Sequence, residues 1–430
     1  MAQEHHVIVV GGGFGGVACV KGLRHDKARI TLIDQRNHHL FQPLLYQVAT
    51  TILPPSEIAW PLRRLFKYRP EVTTLMATVT GVDRENKQVM LADGSRMNFD
   101  TLVLATGTHL FYFGHDDWRP HAPGLKTIED ATRIRRRILA AFEAAERCDD
   151  PDQRTALMNF AIIGGGPTGV ELAGIITELA QRVLPAEFRH IDTRKARVLL
   201  IEAGPRVLSE FPEKLSGYAE RALTRMAVEV RTGEPVTGCD ANGVIVGDHR
   251  IDAKTVIWAA GVTASNAAEW LDVEADRAGR AIVQSDLTVP GYPDIFVIGD
   301  TASVKDQRGR PVPEVAPAAK QQGSYVARVI RARLDGRDHR RVFRYRHPGT
   351  LATIGPSAAV VDFGWIRLTG AIGWWVWGIA HIFFLISTRS RIAVAYSWFW
   401  SYITGQKSAR LITGRTKAAE PANEEGAQSK

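Results

Sequence analysis

The chain has 430 residues, 23% charged and 45% hydrophobic, with 54 Lys and Arg against 46 Asp and Glu. At roughly 100–200 residues per domain this length asks for two or three cores, and the composition excludes a disordered or fibrous chain. The net charge of +8 is concentrated, because residues 340–430 hold 12 basic and 4 acidic side chains and the preceding 339 hold 42 of each.

The N-terminus lacks the basic region and apolar stretch of a signal peptide and runs at once into a glycine motif. Residues 6–17 read HVIVVGGGFGGV, a short buried-strand run followed by G-x-G-x-x-G and a helical pattern. The same organisation returns at residues 160–170, FAIIGGGPTGV, with Gly164 lying 153 positions after Gly11. In each copy a second apolar run ends in an acid: RITLID closing at Asp34 and RVLLIE closing at Glu202. These are two βαβ units, too far apart for a solenoid. Between them, residues 129–147 predict one helix, with Arg135, Arg136 and Arg137 on a solvated face, and residues 148–153 read as a polar linker. Strands ending in small-residue turns are predicted at 101–107 (TLVLATG) and 255–261 (TVIWAAG). A buried strand closed by Gly299-Asp300 is predicted at 294–300. The cysteines Cys19, Cys148 and Cys239 are scattered, which excludes a disulfide scaffold, a Cys-rich zinc site and a paired-cysteine redox motif and suits a reducing cytoplasm.

A lone G-x-G-x-x-G is weak, but each copy here follows a strand, opens a helix and has its acid downstream. Asp34 lies 18 residues after Gly16, near the expected ~20, and Glu202 lies 33 after Gly169, as though that helix were extended. Gly11 and Gly164 permit the tight turn. Gly13 and Gly166 let a pyrophosphate reach the backbone, and Gly16 and Gly169 let helix and strand close up. Asp34 and Glu202 would accept hydrogen bonds from ribose hydroxyls, and the Glu202 carboxylate favours NAD over NADP, with Arg206 near enough to qualify that preference. Two dinucleotide sites suggest one tightly held flavin and one exchangeable nicotinamide. The first copy suits the flavin, since Asp300 returns late in the chain to meet a ribityl group.

The stretch 370–404 is dense in Trp, Phe and Ile, and the polar tail from Lys417 predicts disorder. Residues 371–388 carry no formal charge, the lower limit for a membrane span. His381, two glycines and the closely following Arg389 and Arg391 argue instead for two helices lying in the interface. Six of the ten tryptophans (Trp365, Trp374, Trp375, Trp377, Trp398 and Trp400) fall between 365 and 400, suiting a headgroup boundary, and the basic residues suit anionic lipid. A buried core or dimer seam is the alternative. No groove-reading motif accompanies the charge, so nucleic acid is not an expected partner.

Four segments resemble the type II NADH:quinone dehydrogenases, within the two-dinucleotide-binding-domain flavoproteins: FQPLLYQVAT (41–50), GGPTGVELAG (165–174), IEAGPRVL (201–208) and AAKQQG (318–323). The resemblance implies an α/β fold of two Rossmann-like dinucleotide-binding domains, arranged as in glutathione reductase with the NAD domain inserted in the FAD domain. C-terminal amphipathic membrane-binding helices complete it. The expected boundaries are 1–125 and 263–345 for the FAD domain, 126–262 for the NADH domain, 346–415 for the membrane segment and 416–430 for the tail. It further implies a non-proton-pumping enzyme with non-covalent FAD, passing a hydride from NADH to FAD and two electrons to membrane quinone. Such enzymes are homodimers on one leaflet, here the cytoplasmic side of the inner (plasma) membrane.

Residue by residue, Gly11, Gly12, Gly13, Phe14, Gly15, Gly16, Asp34, Gln35, Val79, Thr106, Gly107, Gly299, Asp300 and Ala319 match FAD positions. Gly164, Gly166, Pro167, Thr168, Gly169, Glu202 and Gly261 match the NADH site. Glu171, placed by its spacing in the first turn of the second helix, matches an acid where NADH and quinone meet. Gln321 and Gln322 match a pair beside the quinone. Relatives carry Ala-Gln where this chain has Ala316-Pro317, so a contact made by that Gln is not expected. Neither a metal site nor an EF-hand loop is expected. The rival readings are a sulfide:quinone oxidoreductase, which needs redox cysteines beside the flavin, and an NADH-sensing flavoprotein without quinone turnover.

Overall fold

Strand β1 (His5–Val10) is apolar and β-branched along its buried length, as a strand covered on both faces must be. Helix α1 (Phe14–Gly22) and strand β2 (Ala28–Asp34) complete the first βαβ unit, with Val7 beside Ile30 and Val9 beside Leu32. The short helix α2 (Leu45–Ala49) and strands β3 (Val72–Met76) and β4 (Thr101–Leu104) follow. The computed structural model describes residues 4–338, 341–404 and 409–412, so the tail expected to be disordered lies outside the described residues.

Helix α3 (Ile128–Glu146) opens on a capping box, with Thr127 Oγ1 accepting from Asp130 N and the Asp130 carboxylate accepting from Thr127 N. The expected linker after it is instead helix α4 (Pro151–Leu157). Asp150 caps α4 by accepting from the backbone of Asp152 and Gln153, and Pro151 takes the first position, where its missing N–H costs nothing. The arginine run departs from expectation too. The helical period turns Arg135 inward with Ile134 and Ile138, and Arg137 donates to the carbonyls of His121 and Pro120.

The second unit is β5 (Asn159–Ile163), α5 (Pro167–Glu178), β6 (Arg197–Glu202), α6 (Glu213–Arg225), β7 (Val228–Thr232) and β8 (Thr255–Trp258). Helix α5 continues into a π-helical turn, Leu179–Val183, and that turn with the longer loop before β6 gives the longer spacing to Glu202. The chain then returns through β9 (Thr288–Val289) and β10 (Tyr292–Val297). Those two strands join the first sheet, giving the order β9-β10-β4-β1-β2-β3, while the second sheet runs β7-β6-β5-β8. The second sheet is therefore inserted, in chain order, within the first.

Helix α7 (Ala316–Leu334) packs along α1 so closely that a Cβ on Gly323 would lie 3.0 Å from the Gly15 carbonyl carbon. Strands β11 (Thr350–Gly355), β12 (Ala358–Asp362) and β13 (Arg367–Thr369) form a small antiparallel sheet. The sheet leads into helices α8 (Gly370–Phe384) and α9 (Thr388–Thr404), the two expected from the sequence. One apolar core links Tyr46, Phe160, Val170 and Ile354 with Trp377 and Val394, so the C-terminal elements are seated on the inserted unit. Among the described residues no helix is long and apolar enough to cross a membrane.

Candidate active site

The first crevice lies where β1, β2 and β4 end. Gly11 turns the chain at φ +106°, a left-handed geometry natural to glycine, and a Cβ there would lie 2.7 Å from the Ala105 carbonyl carbon. Gly13 caps α1 and faces open space, so an anionic group can approach the helix N-terminus. Asp34 braces the loop: its carboxylate accepts from Gly12 N at 2.6 Å and from Arg36 N at 2.7 Å. His39, buried beneath, bonds the Gly12 carbonyl through Nδ1 at 2.9 Å, and burial pushes its imidazole down to about 4.

Across the crevice, Thr106, Ser265 and Thr301 form a chain of hydroxyls, with Oγ–Oγ separations of 2.5 and 2.8 Å. Asp300 sits in a 3-10 turn after β10. Burial raises its carboxyl, while the positive charges of Lys126 and Arg280 pull it back. Ala319 of α7 meets both Gly15 and Gly299, bringing the late turn to the first glycine loop. Val79 is buried on a neighbouring strand and Gln35 is exposed beyond Asp34. A glycine cradle open at Gly13, an acid closing β2 beside it and a second buried acid fit FAD.

The second crevice repeats this construction at the end of β5. A Cβ on Gly164 would lie 2.5 Å from Ala259, and one on Gly169 would lie 3.0 Å from the Gly164 carbonyl carbon. Gly166 caps α5 facing open space, Pro167 takes a first-turn position and Thr168 follows half-buried. Glu202 accepts from Gly165 N at 2.5 Å and Gly204 N at 2.7 Å. Arg206 spends its guanidinium on the carbonyls of Phe211 and Ser209, so it does not turn a cation toward a 2′-phosphate. Gly261 lies under the half-exposed ring of Phe113.

Glu171 lies on α5, the helix that opens at the second glycine loop. It is the fifth residue of α5, past the first turn in which spacing placed it, because the helix is capped as early as Gly166. It is buried, and burial pushes its carboxyl well above the usual carboxylate range, with the Thr353 backbone N–H pulling the other way. The neighbouring Tyr46 hydroxyl is also held neutral, by burial and by the charge Glu171 would carry. Burial favours the protonated form of both groups, so a proton can be held here away from water.

Gln322 is buried and accepts from Gly299 N at 2.6 Å, so it holds the Asp300 turn. Gln321 forms a two-way bond with the Arg346 backbone, at 2.8 and 2.9 Å, tying α7 to the segment before β11. Pro317 lies in the first turn of α7, a position that tolerates its missing N–H.

The sequence reading did not single out Tyr46, Gln47, His39 or Lys126 individually, and it placed Trp398 only at a headgroup boundary. Tyr46 and Gln47 lie inside the FQPLLYQVAT segment, which was the available signal; nothing local marks the others. The cysteines sit apart from this chemistry. Cys19 is buried in α1 with its thiol pushed up to about 12, and Cys239 lies on the strand Val236–Asp240, not in a turn, pushed up to about 11.

Residues 5–323 match the pyridine nucleotide-disulphide oxidoreductase family and residues 347–407 the NDH2 C-terminal domain. A type II NADH:quinone oxidoreductase (Ndh) of Mycobacterium tuberculosis is 41% identical over 425 residues, covering 96% of this chain and 91% of that protein. A type II NADH:quinone oxidoreductase of Staphylococcus haemolyticus is 32% identical, covering 84% and 90%. The NDH2 of Plasmodium falciparum in complex with NADH shares the fold with a TM-score of 0.87 at 19% identity, covering 96% of this chain and 100% of that one. The sulfide:quinone oxidoreductase of Aquifex aeolicus superimposes less well, at 0.69. The chain belongs to the type II NADH:quinone oxidoreductases, within the pyridine nucleotide-disulphide oxidoreductase family.

Proposed function

We propose that the protein oxidises NADH and reduces quinone at the junction built around Glu171. The observation that carries this reading is a buried carboxyl, held above the usual carboxylate range, on the helix that opens at the second glycine loop, with the outer faces of α8 and α9 apolar and exposed. Bound FAD supplies a carrier that accepts a hydride and returns two electrons. The chain's own residues do the rest. The loop at Gly11, Gly12, Gly13, Phe14, Gly15 and Gly16, with Asp34, Gln35, Val79, Thr106, Gly107, Gly299, Asp300 and Ala319, binds FAD. The loop at Gly164, Gly166, Pro167, Thr168 and Gly169, with Glu202 and Gly261, holds NADH so that its nicotinamide faces the first crevice. Gln322 and Gln321 fix the turn and the helix along which quinone arrives. Overall, NADH, quinone and one proton yield NAD and quinol, and Glu171 delivers that proton to a quinone oxygen.

The finer reading concerns the membrane. Ile372, Trp375, Ile379 and Phe383 recur at helical spacing on the outside of α8, with Phe383 65% exposed, and Ile392, Tyr396, Phe399 and Ile403 do so on α9. Two helices with apolar exteriors suit burial at the headgroup boundary. Close by, Lys21, Lys320 and Arg391 act on one another as like charges, and no carboxylate among the described residues forms a salt bridge with any of the three. Such a cluster favours anionic lipid. The protein then lies on the cytoplasmic side of the inner membrane as a homodimer, presenting the site to quinone dissolved in lipid.

Steady-state turnover with NADH, NADPH or sulfide as donor tests the activity. Quinone reduction driven by sulfide in preference to NADH would overturn it. Flotation with vesicles containing anionic lipid tests the anchor, and a chain lacking residues 365–430 that still floats would refute it.

A further inference from the structure

The second sheet runs β7-β6-β5-β8, so Glu202, which closes β6, and Gly261, which follows β8, lie on opposite sides of the glycine loop after β5. Ala259 N donates to the Ile163 carbonyl at 2.7 Å and holds the turn after β8 against that loop. A dinucleotide with its pyrophosphate at Gly166 and its adenosine ribose at Glu202 therefore extends its other half toward Gly261.

That end of the crevice is aromatic. Phe111 N donates to the Gly261 carbonyl at 3.1 Å, and Trp258 Nε1 donates to the Phe111 carbonyl at 3.0 Å. Tyr112 turns inward, its ring stacked on Trp258 at 4.8 Å between centroids and its hydroxyl donating to the Ala122 carbonyl at 2.8 Å. Its two neighbours are thereby turned outward. The rings of Phe111 and Phe113 lie 4.8 Å apart and are 40% and 58% exposed, and Val262 is 45% exposed. Phe113 rests on the backbone of Gly261, where a Cβ would come within 3.0 Å of its ring. It holds φ +52°, a left-handed geometry that bulky residues rarely adopt, and the anchored residues before it keep it there. A large apolar ring fixed in a strained position and left open to water is prepared for a planar partner.

We propose that Phe113, with Phe111 and Val262 beside it, forms the apolar wall on which the nicotinamide half of NADH packs. The wall supplies neither proton nor electron; it binds. It gives the enzyme a grip on the nicotinamide half that is separate from the grip of Gly166 and Glu202 on the adenosine half. The inference rests on the reading of the second crevice as the NADH site.

The test measures, by calorimetry on the full-length holoenzyme, the binding of NAD and of ADP-ribose, which lacks the nicotinamide. Phe113→Ala is expected to weaken NAD about tenfold, the loss of one stacked heterocycle, and to leave ADP-ribose unchanged. The KM for NADH should rise with it. Phe113→Tyr keeps the ring and should keep wild-type binding. Phe113→Gly suits the left-handed backbone, so it should unfold no more easily than wild type and still bind NAD as poorly as Phe113→Ala, which separates the wall from the fold. Equal weakening of NAD and ADP-ribose, or no change in either, would overturn the inference. So would a sedimentation shift to a smaller assembly in Phe113→Ala with NAD binding intact, which would give the patch to a second copy of the chain. Glu202→Ala should weaken both ligands. If it weakens neither, the reading of the second crevice fails and not merely this wall.

Discussion

Helix α5 and strand β11 meet at Gly174, where a Cβ would lie 2.8 Å from the Ile354 carbonyl carbon and closer still to its oxygen. Carbon atoms pack at about 3.5–4.0 Å, so Gly174→Ala forces helix and strand apart by roughly 1 Å. Backbone cannot rotate away as a side chain could. Overpacking of this kind costs about 1–3 kcal/mol, and the gain in helix propensity returns about 1 kcal/mol. A net loss of up to about 2 kcal/mol is expected, which lowers Tm by about 2–4 °C per kcal/mol for a domain of 150–250 residues. Gly217→Ala in α6 is the control. Its Cβ would meet only the Arg221 guanidinium, at 3.2 Å, and that flexible group can move, so this variant should gain up to about 1 kcal/mol. Glu171 sits three residues before Gly174, so Gly174→Ala should also slow quinone-dependent flavin reoxidation. Thermal unfolding of both variants decides the matter: equal shifts, or a more stable Gly174→Ala, would refute the close-packing argument.

Glu171→Gln removes the titratable proton and keeps the shape, so it should slow flavin reoxidation by quinone far more than flavin reduction by NADH; equal effects would remove Glu171 from proton delivery. Glu202→Ala should raise KM for NADH about tenfold, through loss of a charged hydrogen bond to ribose, and narrow the preference over NADPH; unchanged discrimination would dismiss the carboxylate as its source. His39 and His381, both buried with imidazoles pushed down to about 4 by burial, make stability acid-sensitive. The unfolded chain takes up these protons near 6.5 while the folded one does not, so stability falls as pH drops from about 6.5 to about 4, by on the order of 3 kcal/mol per histidine. Urea midpoints across that range measure it, and a flat profile in this interval would contradict it.

The two glycine loops were legible because backbone geometry there admits only one kind of residue: a strand, a turn that excludes a Cβ, and a helix start leave a pattern that no packing detail can disguise. The acids at Asp34 and Glu202 were legible for the same reason, since each closes a strand of fixed register beside its loop. The helix at Pro151–Leu157 was missed although Asp150-Pro151 is a strong start signal, because the segment's polarity resembled a linker. Arg135 was read as solvated because charge was weighed over the helical period that carries it inward. Glu171 fell one turn early because cap assignment depends on backbone angles at Gly166. The roles of Gln322, which holds Gly299, and Trp398, which holds Gln47, had no local signature. They are contacts between segments distant in sequence, and no periodicity encodes them.

The proposed reading has electrons taken from NADH leave to quinone met at a lipid surface, where the exposed rings of α8 and α9 would be seated. Anaerobic stopped-flow absorbance of the full-length holoenzyme tests that most directly. The account predicts that NADH bleaches the flavin and that a subsequent pulse of quinone restores its colour within a turnover time. A flavin bleached by NADH that quinone fails to recolour would contradict it.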